Sequence, residues 1–231
     1  MRLPKIKGKL ALLLTVGLLF TVPCHAEIPA ASPIRRHKNS EKKIALSFDD
    51  GPHPRYTETI LDILKEHEIK ATFFVIGCNC ERYPEVLKRT AGEGHELGNH
   101  TYSHPQLKSI GYDACMKELS HTEEILTNLV NYRPRLFRPP EGVYSEAVSV
   151  STQKLGYLPV LWTVDTKDWK GTSRDGIVNT VLSEIDVGCI ILCHDYVSGK
   201  YNTPDALRVL IPELKARGYV FVTVSELLES R

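Results

Sequence analysis

The chain has 231 residues, with 29 Lys and Arg against 28 Asp and Glu for a formal charge of +1, and is 42% hydrophobic and 8% aromatic. With Gly (15) and Pro (14) near average and 25% charged residues, it is not a disordered, collagen-like or mucin-like chain but one globular domain with a sizeable core. Nor does it carry the basic footprint of a nucleic-acid binder, so no nucleic-acid partner is expected.

In chain order, Arg2, Lys5, Lys7 and Lys9 precede an apolar run from Leu10 to Val22 that ends in Pro23-Cys24-His25-Ala26. This pattern reads as a secretory signal peptide over residues 1–26, cleaved after Ala26, for a protein that is secreted or held at the cell surface. The run is short for the ~20 residues of a membrane span, so an uncleaved anchor is the lesser alternative. A lipoprotein signal at Cys24 is disfavoured because Pro23 precedes it. Cleavage removes four basic residues and no acidic ones, leaving 25 − 28 = −3. It also leaves Cys78, Cys80, Cys115, Cys189 and Cys193, an odd set read mainly as buried small hydrophobes. Residues 27–41 are polar, contain Pro and lack apolar periodicity, which predicts a linker.

The domain is expected over 42–229, where short β-rich runs alternate with amphipathic stretches. Strands are predicted at Lys43–Phe48, Ala71–Val75, His95–Gly98, Leu136–Phe137, Pro159–Val164, Cys189–Cys193 and Tyr219–Val222. Helices are predicted at Tyr56–Glu68, Pro84–Ala91, Tyr112–Leu129, Ser145–Leu155, Arg174–Ile185 and Pro204–Arg217. Such alternation predicts a parallel sheet with covering helices, and about seven strands in this length make a compact or incomplete (β/α) barrel.

The unusual polar clusters follow the strands: Asp49-Asp50, then His100 and His104, Arg138, Asp165 and Asp168-Trp169, and His194. Carboxyl ends of parallel strands converge on one face, so residues distant in sequence meet there. On a helical turn, the His100-Thr101-Tyr102-Ser103-His104 pair would present two imidazoles to one metal. Taken alone it is equally polar surface, and Asp49-Asp50 alone could be a turn. Together, two imidazoles and one carboxylate leave positions open on zinc or a similar ion, with a second carboxylate beside it as a base. His194, at the mouth of an apolar strand, is either a core histidine or a general acid. Arg138-Pro139-Pro140 fixes an extended turn whose arginine can pair with a carboxylate, or is a plain ion pair. The Asp165–Trp169 stretch offers a carboxylate to orient a histidine and an aromatic face on which sugar could stack, although Trp169 fits core packing equally. His25, His37, His53, His67, His95 and His121 have no such company and receive no role.

Five motifs carry a resemblance: Ser47-Phe48-Asp49-Asp50-Gly51, His100-Thr101-Tyr102-Ser103-His104, Arg138-Pro139-Pro140-Glu141-Gly142, Asp165-Thr166-Lys167-Asp168-Trp169 and Leu192-Cys193-His194. In this order they resemble the polysaccharide deacetylase family, the NodB-homology domain of carbohydrate esterase family 4, over essentially the whole predicted domain. The resemblance implies a distorted (β/α) barrel and metal-dependent removal of acetyl from N-acetylglucosamine units of peptidoglycan or a chitin-like glycan, by a monomer. It implies Asp50, His100 and His104 as ligands of a divalent ion, Zn2+ first, with Co2+, Ni2+ or Fe2+ as alternatives. Asp49 is implied as general base and His194 as general acid, Arg138 as support for the base, and Asp165 as the residue that tunes His194. Trp169, Leu192 and Glu141 are implied at the sugar groove and acetyl pocket. Glu141 departs from the aromatic residue that the family often carries there, which would disfavour anionic polymers. The competing readings are an O-acetyl esterase on a decorated polysaccharide such as xylan, and a catalytically silent glycan-binding protein.

Overall fold

The computed structural model describes residues 32–38 and 41–230. The expected signal peptide, with Cys24, and the remainder of the expected linker lie outside them. The strands are β1 (Lys43–Asp49), β2 (Thr72–Val75), β3 (Glu96–Asn99), β4 (Leu136–Phe137), β5 (Leu158–Pro159), β6 (Val164–Asp165), β7 (Ile190–His194) and β8 (Val220–Val222). The helices are α1 (Tyr56–Glu66), α2 (Gly77–Arg82), α3 (Pro84–Gly92), α4 (Tyr112–Val130), α5 (Glu146–Leu155), α6 (Arg174–Glu184), α7 (Thr203–Ala216) and α8 (Val224–Glu229). All strand pairs are parallel, in the order β5-β4-β3-β2-β1-β7-β6 with β8 also against β1. This curled sheet is the incomplete (β/α) barrel that the alternation predicts.

Period-two alternation sorts the side chains of the central strand. Ile44, Leu46 and Phe48 of β1 face outward into the main core, with Ile60, Ile63 and Leu64 of α1 and Leu207, Leu210 and Leu214 of α7. Ala45 faces the interior with Phe74, Leu136, Val160 and Ile190. The same alternation on β7 sends Ile191 and Cys193 outward and leaves Ile190, and beyond it Leu192 and His194, on the inner side. Ser47 and Asp49 therefore continue the inner row of β1 toward its carboxyl end. The opposite end of the barrel is closed by Val224 and Leu227 of α8. A capping box starts that helix, with reciprocal bonds between Thr223 and Glu226.

Two expectations are corrected. The strand expected at Pro159–Val164 is two short strands on opposite edges: β5 pairs with β4, the chain crosses the opening, and β6 pairs with β7. Residues 32–38, expected within the linker, are docked along that opening. Ile34 donates to Pro159 O at 2.8 Å and accepts from Leu161 N at 2.7 Å, while Arg36 Nη1 pairs with Asp186 at 2.9 Å. The open edges present unpaired backbone groups, and this segment satisfies some of them. Cys80, Cys115, Cys189 and Cys193 are buried and Cys78 half-buried, all as free thiols. Among the described residues, no helix is long and apolar enough to cross a membrane.

Candidate active site

At the carboxyl ends of the strands lies a cavity of about 480 Å³ lined by Asp49, Asp50, His100, His104, Glu141, Trp162, Asp165, Trp169, Leu192 and His194. Strand register explains its two principal sides: Asp49 and His194 are direct partners on the adjacent parallel strands β1 and β7. Arg138, fully buried behind this wall, spans the barrel interior. Its Nη1 donates to Asp49 Oδ1 at 2.7 Å and to Ser47 Oγ at 2.9 Å, while Nε and Nη2 reach the carbonyls of Val160 and Leu161 at 3.4 and 3.3 Å. One arginine thus holds the carboxylate and the crossing segment together, with its guanidinium 4.0 Å over the Phe74 ring.

Asp50 leaves the end of β1 with φ 80°, a left-handed conformation costly for a non-glycine residue. Neighbouring backbone atoms are pinned on both sides of it. Asp49 O accepts from Asp195 N at 3.1 Å, Asp50 O from Asn79 Nδ2 at 2.8 Å, and Gly51 O from Ile76 N at 2.9 Å. Asp195, buried beside His194, accepts from Gly51 N at 2.8 Å and from Thr57 Oγ1 at 2.6 Å. A Cβ at position 51 would lie 2.0 Å from Asp195 Oδ2, so the turn requires glycine.

Asp50, His100 and His104 offer donor atoms within 4.8 Å of one another. Asp50 Oδ1 stands 3.5 Å from both histidine Nε2 atoms, is buried, and makes no hydrogen bond. His100 Nδ1 lies 2.7 Å from Arg138 O, which fixes a proton on Nδ1 and turns Nε2 inward. The expected helical turn is absent: residues 101–106 form a loop in which Thr101 (φ 70°) and His104 (φ 55°) are left-handed. The imidazoles meet through that distorted loop, with ring centroids 5.2 Å apart. Of the eight non-glycine residues with positive φ among the described residues, Asp50, Thr101, His104, Glu141 and Lys167 belong to the loops around this cavity, so local strain concentrates there.

Burial raises the Asp50 carboxyl, but adjacent His100, with His194 and His104, outweighs it and holds Asp50 below the ordinary carboxylate range. Against burial, Asp49 and Asp50 push His100 up toward the charged form; burial and that charge pull His104 down, toward the neutral form that a metal needs, and an ion would take the place of the His100 Nε2 proton. His194 is pulled down by burial and more strongly pushed up by Asp168, with Asp49 and Asp50 adding to it, reaching about 9.

That last partner corrects an expectation. Asp168, and not Asp165, orients His194: Asp168 Oδ1 is 2.7 Å from His194 Nδ1, and its Oδ2 accepts from His194 N at 2.8 Å and Thr203 Oγ1 at 2.7 Å. Asp165 lines the cavity and accepts from Lys167 N at 2.9 Å. A left-handed Lys167 and a 3₁₀ turn at Asp168–Lys170 carry Asp168 back under the end of β7. Leu192 is buried, Trp169 is 48% exposed, and Glu141 is exposed at the edge. Sequence reading missed Trp162, whose ring lies 3.0 Å from where a Cβ on Gly142 would sit. It also missed Asp195.

Residues 36–160 match the family model for polysaccharide deacetylases. The chain is similar to a peptidoglycan-N-acetylglucosamine deacetylase of Bacillus cereus, 43% identical over 192 residues, 83% of this chain and 70% of the relative. Among solved structures it is similar to the peptidoglycan N-acetylglucosamine deacetylase Bc1960 (TM-score 0.82, 42% identity, 86% of this chain and 93% of that one). It is also similar to BA3943 of Bacillus anthracis, described as a family 4 pseudoenzyme (TM-score 0.81, 32% identity, 87% of this chain and 70% of that one). Sharing the motifs, the barrel and this degree of identity, the chain belongs to the polysaccharide deacetylase family, carbohydrate esterase family 4, and is a polysaccharide deacetylase.

Proposed function

We propose that the protein hydrolyses the acetamide of N-acetylglucosamine units in a glycan of peptidoglycan or chitin type, outside the membrane, with the aid of one divalent ion. The observation that carries this reading is Asp49 and His194 paired across neighbouring strands at one cavity, beside the Asp50, His100 and His104 donors. Likeness to an active member and to a pseudoenzyme alike leaves the decision to the residues, and here the acid, the base and the ligand set are all present.

The donor set fits a metal. Asp50 Oδ1 is a buried acceptor with no hydrogen bond, and His100, with a proton fixed on Nδ1, turns Nε2 inward. An ion held by Asp50, His100 and His104, Zn2+ or else Co2+, Ni2+ or Fe2+, would supply Lewis acidity toward the acetyl carbonyl oxygen and lower the pKa of water beside it.

The protein's own groups handle the protons. Asp49 Oδ1 is engaged by Arg138, so Oδ2 is the atom that takes a proton from the attacking water as its oxygen bonds to the acetyl carbon. His194, with Nδ1 against Asp168, delivers a proton from Nε2 to the amine nitrogen as the C–N bond breaks. The products are acetate and the free amine. The backbone N–H of Glu141 is assigned to the developing oxyanion. Leu192 and Trp162 form the acetyl pocket, and the exposed face of Trp169 takes the sugar ring.

The test is acetate release from N-acetylglucosamine oligomers, peptidoglycan and acetylxylan, with and without chelator. Chelator-sensitive release from the first two supports the reading. Release from acetylxylan alone would establish an O-acetyl esterase instead.

A further inference from the structure

Outside the catalytic cavity, the loops that follow β1, α2 and β7 bring aromatic rings together. His53 stacks on both Tyr56 (centroids 4.5 Å apart) and Tyr196 (5.1 Å), which lie 6.3 Å from each other, with Tyr83 edge-on at 5.8 Å. His53 Nδ1 lies 3.2 and 3.3 Å from the backbone N–H groups of Arg55 and Tyr56, which fixes the ring plane. Tyr196 is 41% exposed, so this stack ends on an open aromatic face and is not sealed as a core cluster would be.

Tyr56 also packs on Tyr201, at 4.4 Å, and both line a second cavity of about 390 Å³ with Arg55, Thr59 and Asp205. Arg55 and Asp205 are exposed and neither is in an ion pair among the described residues. A cation and an anion in one pocket cancel in net charge while offering donors and acceptors, which suits a neutral polyhydroxylated ligand and not a phosphate or a basic peptide. The volume lies within the range of ~300–1,000 Å³ found for small-molecule sites. This cavity adjoins the catalytic one: Tyr201 Oη donates to His194 O at 3.4 Å, and His53 is three residues beyond Asp50.

We propose that the Tyr196 face and the Arg55–Asp205 cavity form a remote glycan subsite. It holds a sugar unit of the chain whose acetyl group lies in the catalytic cavity, with the ring face on Tyr196 and hydroxyls toward Arg55 and Asp205. The proposal rests on the glycan reading above and extends it to chain length: longer oligomers gain binding that short ones cannot.

The test is calorimetric binding of N-acetylglucosamine dimer and hexamer to the full chain carrying Asp49→Asn, so that ligand is not consumed. The hexamer is expected to bind at least tenfold more tightly than the dimer. Adding Tyr196→Ala should lower that hexamer-to-dimer ratio by about 3- to 10-fold, the effect of one lost ring contact. Adding Asp205→Ala, outside the ring stack, should lower it by about threefold and serves if Tyr196→Ala fails to fold. A hexamer that binds no better than the dimer, or a ratio unmoved in the folded variants, overturns the subsite. Length-dependent binding that these variants diminish, in a wild-type protein that releases no acetate, would overturn the catalytic reading and leave the subsite standing.

Discussion

Replacing Asp168 by Asn tests how the acid is maintained. Asp168 is buried, and its carboxylate is the leading cause that lifts His194 to about 9 against a burial effect of opposite sign. Without that charge, His194 moves back toward its ordinary 6.5. At pH 8 the protonated fraction then falls from about nine-tenths to about one in thirty, a loss of roughly 30-fold. Disordering the ring that Oδ1 holds at 2.7 Å extends the expected fall in kcat to about 10²–10³-fold. Folding should be little affected, since an Asn carbonyl still accepts from His194 N and Thr203 Oγ1. The assay is the pH dependence of acetate release between pH 6 and 10, with Asp165→Asn alongside. Asp168→Asn should pull the alkaline limb down by about two pH units, while Asp165→Asn loses less than about tenfold in rate at every pH. An unmoved limb in Asp168→Asn, or an equal loss in Asp165→Asn, would refute the assignment.

Three further outcomes are expected. Arg138→Met leaves Asp49 buried without its cation and should cost about 3–5 kcal/mol in urea denaturation, and a loss below about 1 kcal/mol would contradict the structural role. His95 is held down to about 4 by burial and by Lys70, whereas in the unfolded chain it titrates near 6.5. Its contribution is therefore present above pH 6.5 and lost as pH falls toward 4, about 3 kcal/mol in all; His95→Gln should flatten that part of the stability profile, and an unchanged slope would argue against it. Glu141→Gln removes a negative charge at the edge of the cavity and should raise kcat/KM on anionic relative to neutral glycans by about 2- to 5-fold, with an anionic-to-neutral ratio unchanged from wild type contradicting the role.

Much of the site is legible because alternation is local and strand ends converge. The inner row Ala45, Ser47, Asp49 and the run ending at His194 bring Asp49 and His194 to one face by period two alone. What stayed hidden depends on crossings and loop conformation. Leu161 and Trp162 look like strand interior, yet the chain there crosses the barrel mouth to pair with a different strand, bringing Trp162 to the cavity. Asp165 and Asp168 are equivalent carboxylates on paper; a left-handed Lys167 decides which faces His194. Asp195 points away from the cavity because it follows His194 by one residue, and its role emerges only from the Gly51 and Thr57 contacts. By contrast, α8 is not among the expected helices although Thr223 and Glu226 carry a capping-box spacing visible in the sequence. Residues 32–38 carry no periodicity because they bond through backbone across the barrel opening.

The central claim, that Asp49 takes the proton at a site built by Asp50, His100 and His104, is tested most directly by Asp49→Asn. Metal content by equilibrium dialysis and acetate release from an N-acetylglucosamine hexamer should be measured on the same sample. One divalent ion per chain with release reduced by at least about 10³-fold is the predicted result. Deacetylation retained in Asp49→Asn, or retained by the wild-type protein after full metal removal, would contradict it.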